Sequence, residues 1–505
     1  MSDESVRSAL RQDDPLVVIE APAGCGKTHQ AADYACESVA SGRFRRPLIL
    51  TQTHAACAVF AGRTGSSGEI RTIDSLISQV GSIYHRGLGL PPDVGAWVRE
   101  DSAKRYAQLA QKVASLLLRH RMIGAALAKR HGIVICDEHQ DSTAEQHAIV
   151  MALHEQGARI RIFADPMQAI FRERASAAGS EWRDLLARAD AFEQLDRPHR
   201  WATGCQQLGQ WTLHAREALK AGRPVDLRGA LPPSVSVVIA ENQAHVRLEY
   251  QLSGTDRRPL DTLVQGAPSL LVLTRHNDTA RSLRSFFNRR LPLWEGHVRN
   301  GLERLVRAVR GAQGNAEPVA SAVVTFMGDI GVGFSPSAYG SRLQQEARDR
   351  CAKVARGKPA LVQELARLLV EEPNHRGVGR MLRRFFERKE EGTAFEDVRL
   401  DHRQEFWDAI RLGEFDTVET GLAELARRRA YSRPTPPARA ISTIHKAKGL
   451  ECGSVIVVPC DKNTFPDKES ARCLLYVALS RARERLMLVV SRAQPSPLLI
   501  LPDST

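Results

Sequence analysis

No run of 18 apolar residues occurs anywhere in the 505-residue sequence, so a membrane-spanning helix is not expected. The opening stretch MSDESVRSAL carries Asp3 and Glu4 and no apolar core, which reads as neither a signal peptide nor an anchor; the expected location is the cytoplasm, with no membrane partner. The nine cysteines include no C-x-x-C pair, and several lie in apolar runs such as IVIC at 133–136. That argues against a zinc or disulfide framework and suits buried thiols in a reducing compartment. Internal repeats and low-complexity segments are also missing. What is present is ordinary for a globular protein, with 43% hydrophobic and 26% charged residues. The length exceeds a single core, at roughly 150 residues per domain. A net charge of +13 fits an anionic partner, and nucleic acid is favoured because no basic amphipathic stretch stands alone at a terminus.

The segment APAGCGKT at 21–28 follows the apolar run LVVI at 16–19 and precedes HQAADYA, which can open a helix. A strand, this loop and a helix are the order of a phosphate-binding P-loop. Ala21, Pro22, Ala23, Gly24, Cys25 and Gly26 would form the cradle, with the two glycines letting backbone N–H groups converge. Lys27 can reach the β- and γ-phosphates, and Thr28 can ligate Mg²⁺. Residues 133–141, IVICDEHQD, read as a buried strand ending in a carboxylate pair. There Asp137 would hold Mg²⁺, and Glu138 would orient and deprotonate the attacking water. These groups with Lys27 and Thr28 nearly complete a site for hydrolysing ATP.

The DEHQD block resembles motif II of the UvrD/Rep family of superfamily 1 DNA helicases, and that family's other motifs follow in order. FADPMQAIF at 163–171 is similar to motif III, LDRPHR at 195–200 to motif IV, TIHKAKGLE at 443–451 to motif V, and LLYVALSRAR at 474–483 to motif VI. The resemblance implies ATP clamped between two RecA-like domains. It implies Gln168 as a γ-phosphate sensor, Arg200 and Arg481 as phosphate-contacting arginines, and Gly449 with Glu451 as a nucleotide and ribose contact. The family's adenine-reading glutamine, upstream of the P-loop, has no counterpart: Val6 stands near its place and Gln12 lies closer to the loop. His199, where the family has an aromatic before the motif IV arginine, either stacks on adenine or is merely structural.

The DNA track departs further from the pattern. TQTH at 51–54 stands at motif Ia, and TIDSL at 72–76 at motif Ib with Asp74 in place of the usual histidine. Thr53, His54, Thr72 and, in motif V, His445 are the implied DNA contacts, each with an alternative as an ordinary loop residue. Gln52 and Glu173 occupy positions where relatives carry base-stacking rings. Loss of both would leave single-strand binding to phosphate contacts, unless Phe171 or Trp182 fills the track.

The expected fold class is α/β: two RecA-like parallel-sheet domains of the P-loop NTPase type with two mainly helical inserted subdomains. The first domain takes 1–80 and 130–195, with a helical insert at 81–129; the second takes 196–298 and 436–505, with an insert at 299–435. Within the first insert 103–119 reads as an amphipathic helix. The RRFFERK stretch at 383–389 reads as a helix with Leu382, Phe385 and Phe386 in its core, in preference to a basic DNA-facing patch. The resemblance implies an ATP- and Mg²⁺-dependent DNA helicase or translocase on single-stranded DNA, moving 3′ to 5′. The alternative is an ATPase that senses DNA ends and activates a partner nuclease, because this chain resembles, in length, small inserts and eroded aromatics, the helicase-like subunit of Gabija anti-phage defence.

Overall fold

A computed structural model describes every residue except Met1, Arg45, Asp101, 172–174, Asn242, 247–248, 295–299, Ser335, 432–436 and 503–505; Glu173 therefore lies outside the described residues. The chain forms two compact units, one of residues 1–291 with 436–505, the other of residues 292–435.

The first unit contains two parallel sheets. Strands β1 (Leu16–Glu20), β2 (Leu48–Thr51), β3 (Glu69–Thr72), β4 (Ile133–Cys136), β5 (Arg159–Ala164) and β6 (Ala191–Gln194) lie in the order β3-β2-β4-β5-β1-β6. All their pairings are parallel. β1, β2 and β4 are buried along their whole length, as continuous apolar runs require when helices cover both faces of a sheet. Alternation divides β1 between two cores. Leu16 and Val18 pack with Leu48, Leu50 and the helix Ala144–Glu155 through Ile149 and Val150, whereas Val17 and Ile19 pack with Ile49, Ile135 and the helix Lys27–Ala40 through Ala31 and Ala35. Val6, near the place of the family's adenine-reading glutamine, is a fully buried member of the second core. The helix Ser102–Arg119 contributes Leu109, Val113 and Leu117 to the first, so the stretch read as an insert shares the core of the sheet it interrupts.

This strand order sets the C-terminal ends of β4, β5 and β1 side by side. The backbone extends that edge: Ala21 N–H donates to Ala164 O at 2.8 Å, and Asp137 N–H donates to Leu50 O at 2.9 Å. Residues 21–28, 137–141 and 165–168 thus meet at the edge where ligands of open α/β sheets bind.

The second sheet has the order Arg439–Thr443, Leu270–Thr274, Cys452–Cys460, Ala482–Ser491, Val235–Ala240, again all parallel. The apolar runs at 269–275 and 454–459 form neighbouring strands in it. The architecture is α/β with two RecA-like parallel sheets.

The second unit, residues 292–435, is mainly helical with its own core, in which Phe334, Phe385, Phe395 and Phe406 are buried. The helix His375–Glu390 begins at Asn374, whose side chain accepts from the N–H groups of Arg376 and Gly377. It buries Leu382 and Phe385 and half-buries Phe386, while Arg384 and Arg388 pair with Glu364 at 2.6 and 3.1 Å. The apolar face is core, and these two arginines answer a carboxylate of their own unit. Among the described residues no helix is long and apolar enough to cross a membrane.

Candidate functional site

The loop between β1 and the helix Lys27–Ala40 turns through Gly24 at φ 76° and Gly26 at φ 85°, left-handed values that strain any residue with a β-carbon. Space reinforces the requirement. A β-carbon on Gly24 would lie 2.8 Å from the Trp201 ring, and one on Gly26 would lie 3.2 Å from His199 Cδ2. Gly26 caps the helix with no side chain, leaving the N–H groups of its first turn beside Lys27 and Thr28. Lys27 is buried and Thr28 half-buried.

Lys27 Nζ pairs with Glu138 Oε1 and lies 3.5 Å from Asp137 Oδ1. Burial works against its charge, but Glu138 and Asp137 outweigh that and hold the ammonium above its ordinary pKa. Asp137 is driven the other way: burial raises it to about 6 against the pull of Lys27. Glu138 is half-buried; desolvation works to raise its carboxyl, but Lys27 and Lys448 keep it below the usual range. Glu138 sits in the left-handed region at φ 54°, a strained placement of the kind found where side-chain direction serves a site.

Sequence reasoning missed Gln140. Its amide donates to Glu138 Oε2, and its Oε1 accepts from the N–H of Asp165 at 3.1 Å, so it couples the end of β4 to the end of β5. Gln168 is buried and donates to Asp165 Oδ2 at 2.8 Å.

Residues around and within the second sheet reach the same edge. Tyr476, wholly buried, accepts from the Ala23 N–H at 2.8 Å through its hydroxyl. Arg200 donates its backbone N–H to Gly24 O at 3.0 Å, and its guanidinium donates to Ser480 O and Glu451 Oε1, both at 2.6 Å. Trp201, also overlooked in the sequence, is 1% exposed, packs against Gly24 and donates its indole N–H to Ala482 O at 2.8 Å. Lys448 donates to both Asp141 oxygens, at 2.7 and 2.6 Å, and to Gln168 O at 2.6 Å, joining motif V to motifs II and III.

Arg481 is set apart from Arg200. It is 2% exposed, and its guanidinium donates to Val477 O, Leu450 O and Ser480 Oγ at 2.8–3.2 Å, all within the second sheet's surroundings. Burial, with Arg200 nearby, lowers it to about 10. The arrangement makes Arg481 a brace for the 450 and 477–480 backbone. Gly449 is exposed at φ 81°, and Glu451 serves Arg200. His199 lies over Gly26 and pairs through Nε2 with Asp3 at 2.8 Å.

The implied DNA contacts separate. Thr53 and His54 are exposed at a helix start, where the Thr53 hydroxyl accepts from the Ala56 N–H. Thr72 is buried and caps the helix Ile73–Ile83 by accepting from the Ser75 N–H, so its hydroxyl does intramolecular work. Asp74 accepts from Tyr106 and from Gln146, the latter at 2.7 Å. Gln52 donates to Ser142 Oγ at 2.8 Å, beside motif II. His445 is half-buried, and burial lowers its pKa. Its ring lies 6.3 Å from that of Phe171, which is 58% exposed and has Lys448 Nζ 5.1 Å from its centroid. Trp182 instead packs against the first core and lines a cavity of about 250 Å³ with Met167, Leu185 and Leu219.

Two family models match the chain. One, described as an AAA domain, covers residues 3–231; the other, a UvrD-like helicase C-terminal domain, covers residues 439–489. No curated protein matches the chain. Together the two matches support a UvrD/Rep-like helicase family and an ATP-using, helicase-type enzyme.

Proposed function

We propose that this chain is an ATP-dependent translocase of the UvrD type that moves along single-stranded DNA in the 3′ to 5′ direction. One observation carries the reading: a glycine-turned loop, a buried lysine and two carboxylates meet at adjacent strand ends, with Arg200 and Tyr476 pressed onto the loop. In this reading residues 1–80 and 130–195, with the helices of 81–129, hold the triphosphate. Residues 196–298 and 436–505 close over it, and 299–435 form a separate insert.

Mg²⁺ fits the residues present. Asp137 Oδ1 is buried and accepts no hydrogen bond, and its raised pKa marks a carboxylate whose burial lacks full compensation. An oxygen ligand of this kind, with the Thr28 hydroxyl in the first helical turn, suits a hard cation. When bound, Mg²⁺ neutralises charge on the β- and γ-phosphates.

The chain's own groups supply the rest. Lys27 moves from Glu138 to the phosphates, and Glu138, freed from the ammonium that depresses its pKa, becomes basic enough to take a proton from the attacking water. Gln168 orients that water, and Arg200 stabilises the developing charge on the γ-phosphate. Thr53, His54 and His445 face the DNA with Phe171.

The test is ATP turnover with and without single-stranded DNA. Glu138→Gln should retain ATP binding and turn over at least roughly a hundredfold more slowly. Turnover like that of the unaltered protein would remove Glu138 from its role. The end-sensing alternative predicts that duplex ends stimulate hydrolysis without strand separation and that a nuclease co-purifies in stoichiometric amount.

A further inference from the structure

We infer that Arg216, on the helix Gln206–Lys220, is a positioning residue that sets both the phosphate sensor Gln168 and the base Glu138 by holding Asp165 between them. The inference rests on the ATPase reading above and adds a residue that no motif contains.

Arg216 is fully buried, and so is Asp165; Glu20, the last residue before the P-loop, is 1% exposed. The guanidinium donates to Asp165 Oδ1 through Nη2 at 2.7 Å and Nε at 3.2 Å, and through Nη2 also to Glu20 Oε1 at 2.5 Å. Its Nη1 donates to Glu217 at 2.5 Å, and Lys220 closes on Glu20 from the next turn. Two buried carboxylates thus face one buried guanidinium and the ammonium of the exposed Lys220, so the charges of these four groups balance with hydrogen bonds in place. A buried set of this kind persists only when its geometry is well satisfied. Burial opposes the Arg216 charge, but Asp165, Tyr476 and Glu20 outweigh it and keep the guanidinium above its usual pKa.

The consequence lies on the other side of Asp165. With Oδ1 held by Arg216, Oδ2 is left facing Gln168, whose amide it accepts at 2.8 Å. The Asp165 N–H donates to Gln140, and Gln140 donates to Glu138. The carboxylate of Asp165 therefore fixes the sensor directly, while the backbone of the same residue reaches the base through a single glutamine. Arg216 also lies 5.8 Å from the centroid of Tyr476, whose hydroxyl holds the Ala23 N–H of the loop. The helix carrying Arg216 is the chain's path from the first sheet to the second, so the aim of Gln168 depends on where that path lies.

A full-length Arg216→Lys variant keeps one charge but cannot reach both carboxylates from a planar fork. Its kcat for ATP in the presence of Mg²⁺ and single-stranded DNA should fall by on the order of 10- to 100-fold, as for a sub-ångström to ångström misplacement of a catalytic group. Affinity for a fluorescent ATP analogue should stay within about threefold, since the loss falls on the transition state. Adding Arg216→Lys to Gln168→Ala should slow it further by clearly less than Arg216→Lys slows the unaltered protein, because part of the Arg216 effect runs through Gln168 and the rest through Glu138. A retained kcat in Arg216→Lys, or losses that multiply in the double variant, would overturn the inference while leaving the ATPase reading intact. No hydrolysis by the unaltered protein would overturn both. If Arg216→Lys does not fold, the isosteric Asp165→Asn is read by the same criteria.

Discussion

Replacing Phe171 with alanine tests whether the DNA track retains an aromatic platform. Phe171 follows Gln168 by three residues and is 58% exposed, with the His445 ring and the Lys448 ammonium beside it. A phenylalanine offers about 200 Å² to bury, of which the exposed share is roughly 120 Å² and one stacked base covers about half. At about 25 cal/mol per Å² that is ~1.5 kcal/mol, inside the range of roughly 1–3 kcal/mol for a base on an aromatic ring. Phe171→Ala should therefore weaken binding of a fluorescent thymidine oligonucleotide by about tenfold in an anisotropy titration. Because no phosphate contact is lost, the slope of log Kd against log salt should not change. An affinity within about twofold of the unaltered protein, or a shallower slope, would mean that the ring is not the platform.

The buried carboxylates give two further outcomes, both read in thermal melts. Burial raises Asp137 from the ordinary carboxylate range to about 6, so the folded chain binds that proton more tightly than the unfolded one, and metal-free stability falls as pH rises through that window. Asp137→Asn should then melt above the unaltered protein in EDTA at pH 7, by roughly 2–4 °C per kcal/mol relieved, and the gap should close towards pH 4; a lower melting point at pH 7 refutes the sign. Lys448→Met leaves Asp141 buried without its ammonium and should cost on the order of 3 kcal/mol, of which adding Asp141→Asn recovers about half or more. No loss in the single variant would show that the Lys448 bonds add nothing to the fold.

Much of the fold was legible because it follows local patterning. The apolar runs at 16–19, 133–136 and 454–459 are strands, and the apolar face of 103–119 is a helix. The glycines at 24 and 26 stand where left-handed turns occur. What local pattern could not give is partnership across the chain. The helix at 102–119 reads as an insert by position, yet Leu109 and Leu117 belong to the sheet's core. Thr72 reads as a DNA contact by motif, and in the fold its hydroxyl caps a helix, as that of Thr53 does. The RRFFERK stretch was decided by its apolar face, and the arginines that suggested DNA are answered by Glu364.

The site shows the same division and gives it a reason. Lys27 opens the helix after β1, and Asp137 and Glu138 follow β4, so the strand order fixes their positions and motif spacing suffices to find them. Arg216, Gln140, Trp201 and Tyr476 act through partners distant in sequence or through backbone atoms, for which no spacing rule exists. Their arrangement bears on how turnover is controlled. The Lys27–Glu138 pair joins a buried ammonium to a half-buried carboxylate and lowers the basicity of Glu138. In the proposed mechanism a triphosphate would draw Lys27 away and so restore the basicity of Glu138. The bond from Gln140 would hold Glu138 in place during that exchange, so on this proposal the proton acceptor would be switched on without having to move.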